Sequence, residues 1–110
     1  MVIEKLIRDG RVAVLYSPGY GAGWSSWSDD KEWFLFDKGL AELVLDGANE
    51  DRIERYVRHS FGGGEYDGGY VGGASDLTVE WLPIGQRFRI HEYDGSESIV
   101  LEQDEEIWTA

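Results

Sequence analysis

The chain has 110 residues, a formal net charge of −12 at pH 7 and no cysteine, and 42% of its residues are hydrophobic. This length supports one hydrophobic core and hence a single domain over residues 1–110, and the hydrophobic fraction excludes a disordered chain. The composition also excludes a disulfide framework, and the negative charge argues against direct binding to nucleic acid or to a membrane surface. The N-terminal sequence MVIEKLIRDG is too charged for a signal peptide, so a cytoplasmic location is expected.

The first patterned segment predicts a β-hairpin. The Asp9-Gly10 pair is a turn signal and precedes a short apolar run at residues 12–15. Because aspartate and glycine tolerate the left-handed backbone of a two-residue turn, antiparallel strands are expected on both sides of this pair, with the second strand central in its sheet.

The segment KEWFLFD, residues 31–37, is predicted to be a strand with both faces buried. Trp33 and Leu35 would then lie on one side, with Phe34 and Phe36 on the other.

Two short helices are predicted in the middle of the chain. The first begins at Asp37, whose carboxylate can accept the amide hydrogens of the first turn, and ends at Gly47. The second begins at Asn49 and ends at Gly62, with acidic residues in its first turn and basic residues in its last, as the helix dipole favours.

The last third of the chain predicts more strands. Residues 62–73 contain seven glycines, and such a stretch costs much backbone entropy to order. The segments LTVEWL, QRFRIHEY, ESIVLE and EIWT then have strand patterns, and the Asp94-Gly95 turn would pair residues 87–93 with 97–102. The expected fold is α+β, an antiparallel sheet of roughly five to six strands with two short helices inserted in the middle.

Catalytic and metal-binding motifs are missing from the sequence. Gly19, Gly21 and Gly23 resemble a dinucleotide-binding loop, but the third glycine is one position early and WSSWSDD follows where an apolar helix is needed. The sequence contains neither the Gly-Lys pair of a phosphate-binding P-loop nor a Gly-x-Ser-x-Gly elbow. We therefore predict a non-enzymatic protein without catalytic residues, cofactor or metal, although a hydrolase with an unpatterned carboxylate pair stays open as an alternative.

Three basic side chains in one segment suggest anion binding. Arg87, Arg89 and His91 alternate with apolar residues, so in a strand they share one face. The alternative role for this stripe is pairing with acidic residues on other strands, with Glu80, Glu97 and Glu102 as the candidates.

Together with glycine loops and aromatic rings, this basic stripe predicts a nucleotide-binding site. Glycine lets backbone amides approach a phosphate closely, and aromatic rings stack on a base. The candidate ligand-binding residues are Gly21, Gly23, Trp24, Trp27, Tyr66, Arg87, Arg89 and His91. The alternative is that the aromatic residues belong to the hydrophobic core, where tryptophan usually lies.

The C-terminal end is strongly acidic, since residues 92–110 include no lysine or arginine. Such a segment can dock a basic protein or imitate nucleic-acid phosphates, or it can simply keep a sheet edge soluble. The candidate protein-binding face consists of Glu92, Asp94, Glu97, Glu102, Asp104, Glu105 and Glu106.

The strings AVLYSPGYGAGW and EYDGSES resemble a family of small uncharacterised proteins of tailed bacteriophages that infect Gram-negative hosts, and the resemblance covers nearly the whole chain. It carries no activity, cofactor or catalytic residue. It implies a phage accessory protein that acts by binding in the cytoplasm of the infected bacterial host. The leading prediction is an acidic inhibitor or modulator of a host or defence protein with a basic surface. The alternative is a homo-oligomeric sponge that sequesters a small cyclic nucleotide signal through its glycine-rich loops.

Overall fold

Residues 3–19, 23–27, 30–60, 73–101 and 108–109 are described by a computed structural model, and they form an α+β fold with two antiparallel sheets. The strands are β1 (Ile7–Arg8), β2 (Arg11–Tyr16), β3 (Thr78–Pro83), β4 (Arg87–Tyr93), β5 (Ser96–Leu101) and β6 (Trp108–Thr109). The helices are α1 (Lys31–Phe36), α2 (Lys38–Leu45) and α3 (Glu50–Ser60), with short 3-10 turns at Ser25–Trp27 and Ala74–Asp76. The strand orders are β1-β2-β3 and β5-β4-β6. The α+β class is confirmed, but the strands form two sheets in place of the single sheet expected.

Both predicted hairpin turns are confirmed. Asp9 and Gly10 have φ angles of 52° and 75°, and Asp94 and Gly95 have φ angles of 51° and 85°. Two consecutive positive φ values are the signature of the type I′ turn, whose twist matches that of paired strands. The second turn pairs Arg87–Tyr93 with Ser96–Leu101, one residue earlier than the 97–102 expected.

The predicted strand over residues 31–37 is wrong, because Lys31–Phe36 forms helix α1. All four of its apolar residues are buried, and they divide between two clusters: Trp33 and Phe34 pack in one, Leu35 and Phe36 in the other. A helix with apolar residues all round and a strand buried on both faces have the same continuous apolar sequence, so the run does not distinguish them.

Strand β2 is the central strand of its sheet, as predicted, and it contributes to both clusters of the core. Ala13 and Leu15 on one face belong to the cluster that includes buried residues of α2 and α3, whereas Val12 and Val14 on the other face pack in the cluster that includes Phe88 of β4. Because successive side chains point to opposite faces, this short strand connects the helices to the second sheet.

The caps of α2 and α3 agree with the sequence prediction. The carboxylate of Asp37 accepts a hydrogen bond from the amide of Leu40 at 3.0 Å, and the side chain of Asn49 accepts one from Arg52 at 2.9 Å. Gly47 follows α2 with a φ of 79°. Each acceptor satisfies an amide that the first helical turn leaves without a partner.

Tyr56 ties the three helices together. Its hydroxyl donates to the Asp37 carboxylate at 2.6 Å, and its ring stacks on Trp33 with centroids 6.2 Å apart. A β-carbon at position 39 would overlap the phenol ring, so glycine is required there. Burial, followed by the hydrogen bond to Asp37, raises the pKa of Tyr56 well above its ordinary value.

We predict that the free energy of unfolding falls as the pH rises above 10.0, the ordinary pKa of tyrosine. Above that pH the unfolded state loses the Tyr56 proton while the folded state keeps it, so the folded state binds more protons and alkali favours unfolding. Tyr56→Phe should cost about 1 kcal/mol at neutral pH and show a shallower alkaline decline. Urea unfolding at neutral pH and at a pH above 10.0 measures the free energy of unfolding of each variant. Tyr93→Phe is the control, since that side chain is exposed; equal slopes in wild type and Tyr56→Phe would contradict the assignment.

Candidate functional site

A buried carboxylate lies where the second sheet meets the loop after β2. The side chain of Glu97 is only 1% exposed, and it accepts four hydrogen bonds. One oxygen accepts from the amide of Ser17 at 3.0 Å. The other accepts from the amides of Trp24 and Ser26 at 2.8 and 2.9 Å, and also from the Ser26 hydroxyl. These four donors are neutral groups that replace the water a buried carboxylate loses.

The main chain reinforces this contact. The amide of Glu97 donates to the carbonyl of Ser17 at 2.8 Å, and the hydroxyl of Ser96 donates to the carbonyl of Pro18 at 2.7 Å. The start of β5 is therefore joined to the end of β2 through both backbone and side chain. The acceptor is a charged group and its donors lie 71 to 80 residues away in the sequence.

The remaining contacts of this loop are also internal. The indole of Trp24 is fully buried, and its Nε1 donates to the carbonyl of Phe34 at 2.8 Å. The hydroxyl of Ser17 donates to the carbonyl of Gly73 at 2.9 Å, and a β-carbon on Gly73 would overlap the carbonyl oxygen of Gly23. Gly73 and the first tryptophan of this loop thus serve close packing within the protein. The prediction that Trp24 stacks on a base is wrong, because neither face of its ring reaches solvent.

The remaining candidates for ligand binding fall into two groups, one outside the described residues and one on β4. Gly21 and Tyr66 lie outside the described residues, as does the side chain of Trp27. Arg87, Arg89 and His91 are exposed on β4. Phe88, which alternates with them, is fully buried, so the three basic side chains share the outer face of the sheet.

The β4–β5 register bears on the alternative explanation of this basic stripe. Val100 lies directly opposite Arg89, and Ser98 lies opposite His91. Glu97 instead lies opposite Glu92, on the other face, so it is not the cross-strand partner of either basic residue.

The predicted acidic face needs one correction. Glu97 is interior and is not available to a partner protein. Glu92 is half-buried and accepts a hydrogen bond from the amide of Gly95 at 2.7 Å, which supports the turn, whereas Asp94 is exposed at the turn. The remaining predicted members of the face, which are Glu102, Asp104, Glu105 and Glu106, lie outside the described residues.

The interior position of Glu97 can be predicted from the strand register, although not from composition. Counting back from the Asp94-Gly95 turn places Glu97 opposite Glu92, and therefore on the same face as Phe88 and Ile90. Its charge alone predicts a surface position, and on that ground it was included in the candidate acidic face.

Among the described residues, no group of three or more histidine, aspartate or glutamate side chains could hold a metal ion. No helix in the same part of the chain is long and apolar enough to cross a membrane. Comparison of the chain with protein families, with curated proteins and with solved structures found no match.

We predict that Glu97→Gln lowers the free energy of unfolding by about 2–3 kcal/mol. The amide would place a donor against the backbone amides and would remove the charge that strengthens their hydrogen bonds. Urea denaturation measures the loss, and hydrogen exchange should become faster at the Trp24 and Ser26 amides.

Glu92→Gln is the matched control, since Glu92 lies directly opposite on β4 and accepts one amide hydrogen bond at the turn. It should cost less than about 1 kcal/mol. If both variants lost the same stability, the four-donor contact would not be what holds this junction together.

Proposed function

We propose that the chain is a non-enzymatic bacteriophage accessory protein that acts by binding a host or defence protein with a basic surface. The observation that carries this proposal is the exposure of the β4–β5 hairpin, where Tyr93 is 71% and Leu101 is 59% exposed. Large apolar side chains left in solvent are typical of protein-binding surfaces, and tyrosine is among the residues that contribute most to binding energy there.

The hairpin is held rigidly, which favours binding. Its turn is type I′, its Glu92 carboxylate bonds the Gly95 amide, and the base of β5 is fastened to the loop after β2 through Glu97. A surface that is already ordered loses little conformational entropy when a partner binds. Tyr93 is thus presented on a stiff support beside the exposed Asp94.

Beyond its contact with Ser17, the side of β5 that faces away from β4 offers a second kind of contact. In the order β5-β4-β6, β5 is an edge strand of its sheet. The Glu97 amide points away from β4, towards Ser17, and by the alternation of antiparallel strands the amides of Ile99 and Leu101 point to that same side. An extended segment of a partner can add to such an edge through main-chain hydrogen bonds.

The net charge of −12 supports a partner of opposite sign. Long-range attraction would speed the encounter with a basic protein, while Tyr93 beside the turn of the hairpin would make the close contacts. Such a complex should weaken as salt screens the charges. The chemistry is consistent with the resemblance to phage accessory proteins and with action in the cytoplasm of the infected bacterium.

We predict that the tagged protein captures a stoichiometric basic partner from a lysate of a Gram-negative host at low salt, and much less of it at high salt. Tyr93→Ala should reduce capture at least tenfold, because truncating a hot-spot tyrosine costs about 2 kcal/mol or more and about 1.4 kcal/mol already corresponds to a tenfold change. The captured protein is identified and its affinity is measured with the purified pair.

Ile84→Ala is the matched control, since Ile84 is 57% exposed and follows β3 in the other sheet. It should bind as the wild type does. Failure to capture any stoichiometric protein, or equal losses for the two variants, would contradict this binding surface.

A further inference from the structure

A cleft on the helical side of the protein is lined by basic, aromatic and apolar side chains. It has a volume of about 460 Å³ and is lined by Leu43 of α2 and by Arg52, Arg55, Tyr56 and His59 of α3. This volume lies within the range of small-molecule sites. The combination of a few convergent polar groups with an apolar wall is also typical of such sites.

The basic residues of the cleft occupy one face of α3. Arg52, Arg55 and His59 are separated by three and four residues, a spacing that places side chains along one side of a helix. On a protein with a net charge of −12, two arginines and a histidine line this one cleft, and one of the arginines is paired with Asp51. An anion that the whole molecule repels would find its favourable contacts there.

These side chains have free hydrogen-bond donors. Within the described part of the chain, neither the Arg52 guanidinium nor the His59 ring has a hydrogen bond or an ion pair. Arg55 contacts Asp51 at 3.1 Å through its Nε. This leaves the two terminal nitrogens of the Arg55 guanidinium as donors, and a guanidinium presents paired donors that match phosphate oxygens.

Contacts within the protein hold the wall of the cleft in place. Tyr56 is fixed by its hydrogen bond to Asp37 and by stacking on Trp33. Leu43 supplies an apolar surface on the opposite helix. Three acidic groups lie near these walls: Asp37, which accepts the Tyr56 hydroxyl, Asp51, which is paired with Arg55, and Glu42, which is exposed on α2.

We propose that this cleft binds a small phosphorylated molecule, with Arg52 and Arg55 contacting its phosphate and His59 donating a further hydrogen bond. Leu43 and the Tyr56 ring contact the rest of the ligand. The site lies on the helices, apart from the β4–β5 hairpin, and it uses none of the eight residues that the sequence suggested for nucleotide binding. It therefore goes beyond the proposed protein-binding function and does not depend on it.

The test is an NMR titration of the ¹⁵N-labelled protein with adenosine monophosphate, at ionic strength held constant with sodium chloride. Saturable shifts are expected at the amides of residues 52–59 and at the His59 ring, and adenosine without its phosphate should produce none of them. Inorganic phosphate should shift the same amides more weakly, because it lacks the group that contacts Leu43 and Tyr56. Arg52→Gln should weaken binding about tenfold, as expected for losing a charge-assisted contact.

Arg58→Gln is the matched control: it removes the same charge from the same helix, but Arg58 pairs with Glu54 and does not line the cleft. It should leave the affinity unchanged. Thermal unfolding checks that both variants fold, and His59→Gln serves as a second cleft variant, expected to weaken binding severalfold. Shifts that do not saturate, or equal losses for Arg52→Gln and Arg58→Gln, overturn the proposal. Because Arg52→Gln leaves Tyr93 intact, capture of a protein partner tests the other function separately.

Discussion

A buried carboxylate needs hydrogen-bond donors, and this need determines how the loop after β2 meets the start of β5. A charge removed from water is tolerated only where the protein supplies donors, and Glu97 obtains them from three backbone amides and a hydroxyl. The amides of Ser17, Trp24 and Ser26 must converge on one point, so these three residues have little freedom of position. The same contact fixes where β5 meets the end of β2, and so the position of the second sheet.

The core is built around that junction as two clusters that share one strand and one short helix. Strand β2 contributes alternate residues to each cluster, and α1 contributes two aromatic side chains to one and a leucine and a phenylalanine to the other. Trp24, held by the loop, packs on Phe34 with ring centroids 4.8 Å apart. Loop, helix and sheet thus depend on one another, which leaves the outer hairpin and the α2–α3 cleft as the surfaces able to differ in chemistry without disturbing the core.

The parts of the fold that could be predicted are those with local causes. The Asp-Gly turns and the caps at Asp37 and Asn49 depend on residues within a few positions, and their chemistry is visible in the sequence. Helix α1 could not be predicted, since its aromatic run is apolar on every side and only its neighbours decide its form. Glu97 was assigned to the surface because its hydrogen-bond donors lie far away in the sequence. For Trp24 the sequence left base stacking and burial in the core as alternatives, and residue type alone does not decide between them.

The long sequence separation of the Glu97 contacts has a consequence for folding. Ser17 lies 80 residues before the carboxylate that its amide binds. During synthesis the loop after β2 leaves the ribosome long before its acceptor exists, so its amides are first bonded to water. Contacts of such separation close late because the intervening chain must first lose much of its entropy. Until residue 97 has emerged, the nascent chain therefore exposes the surfaces that β2 and α1 later bury, and this is the period when it is most exposed to chaperones and proteases.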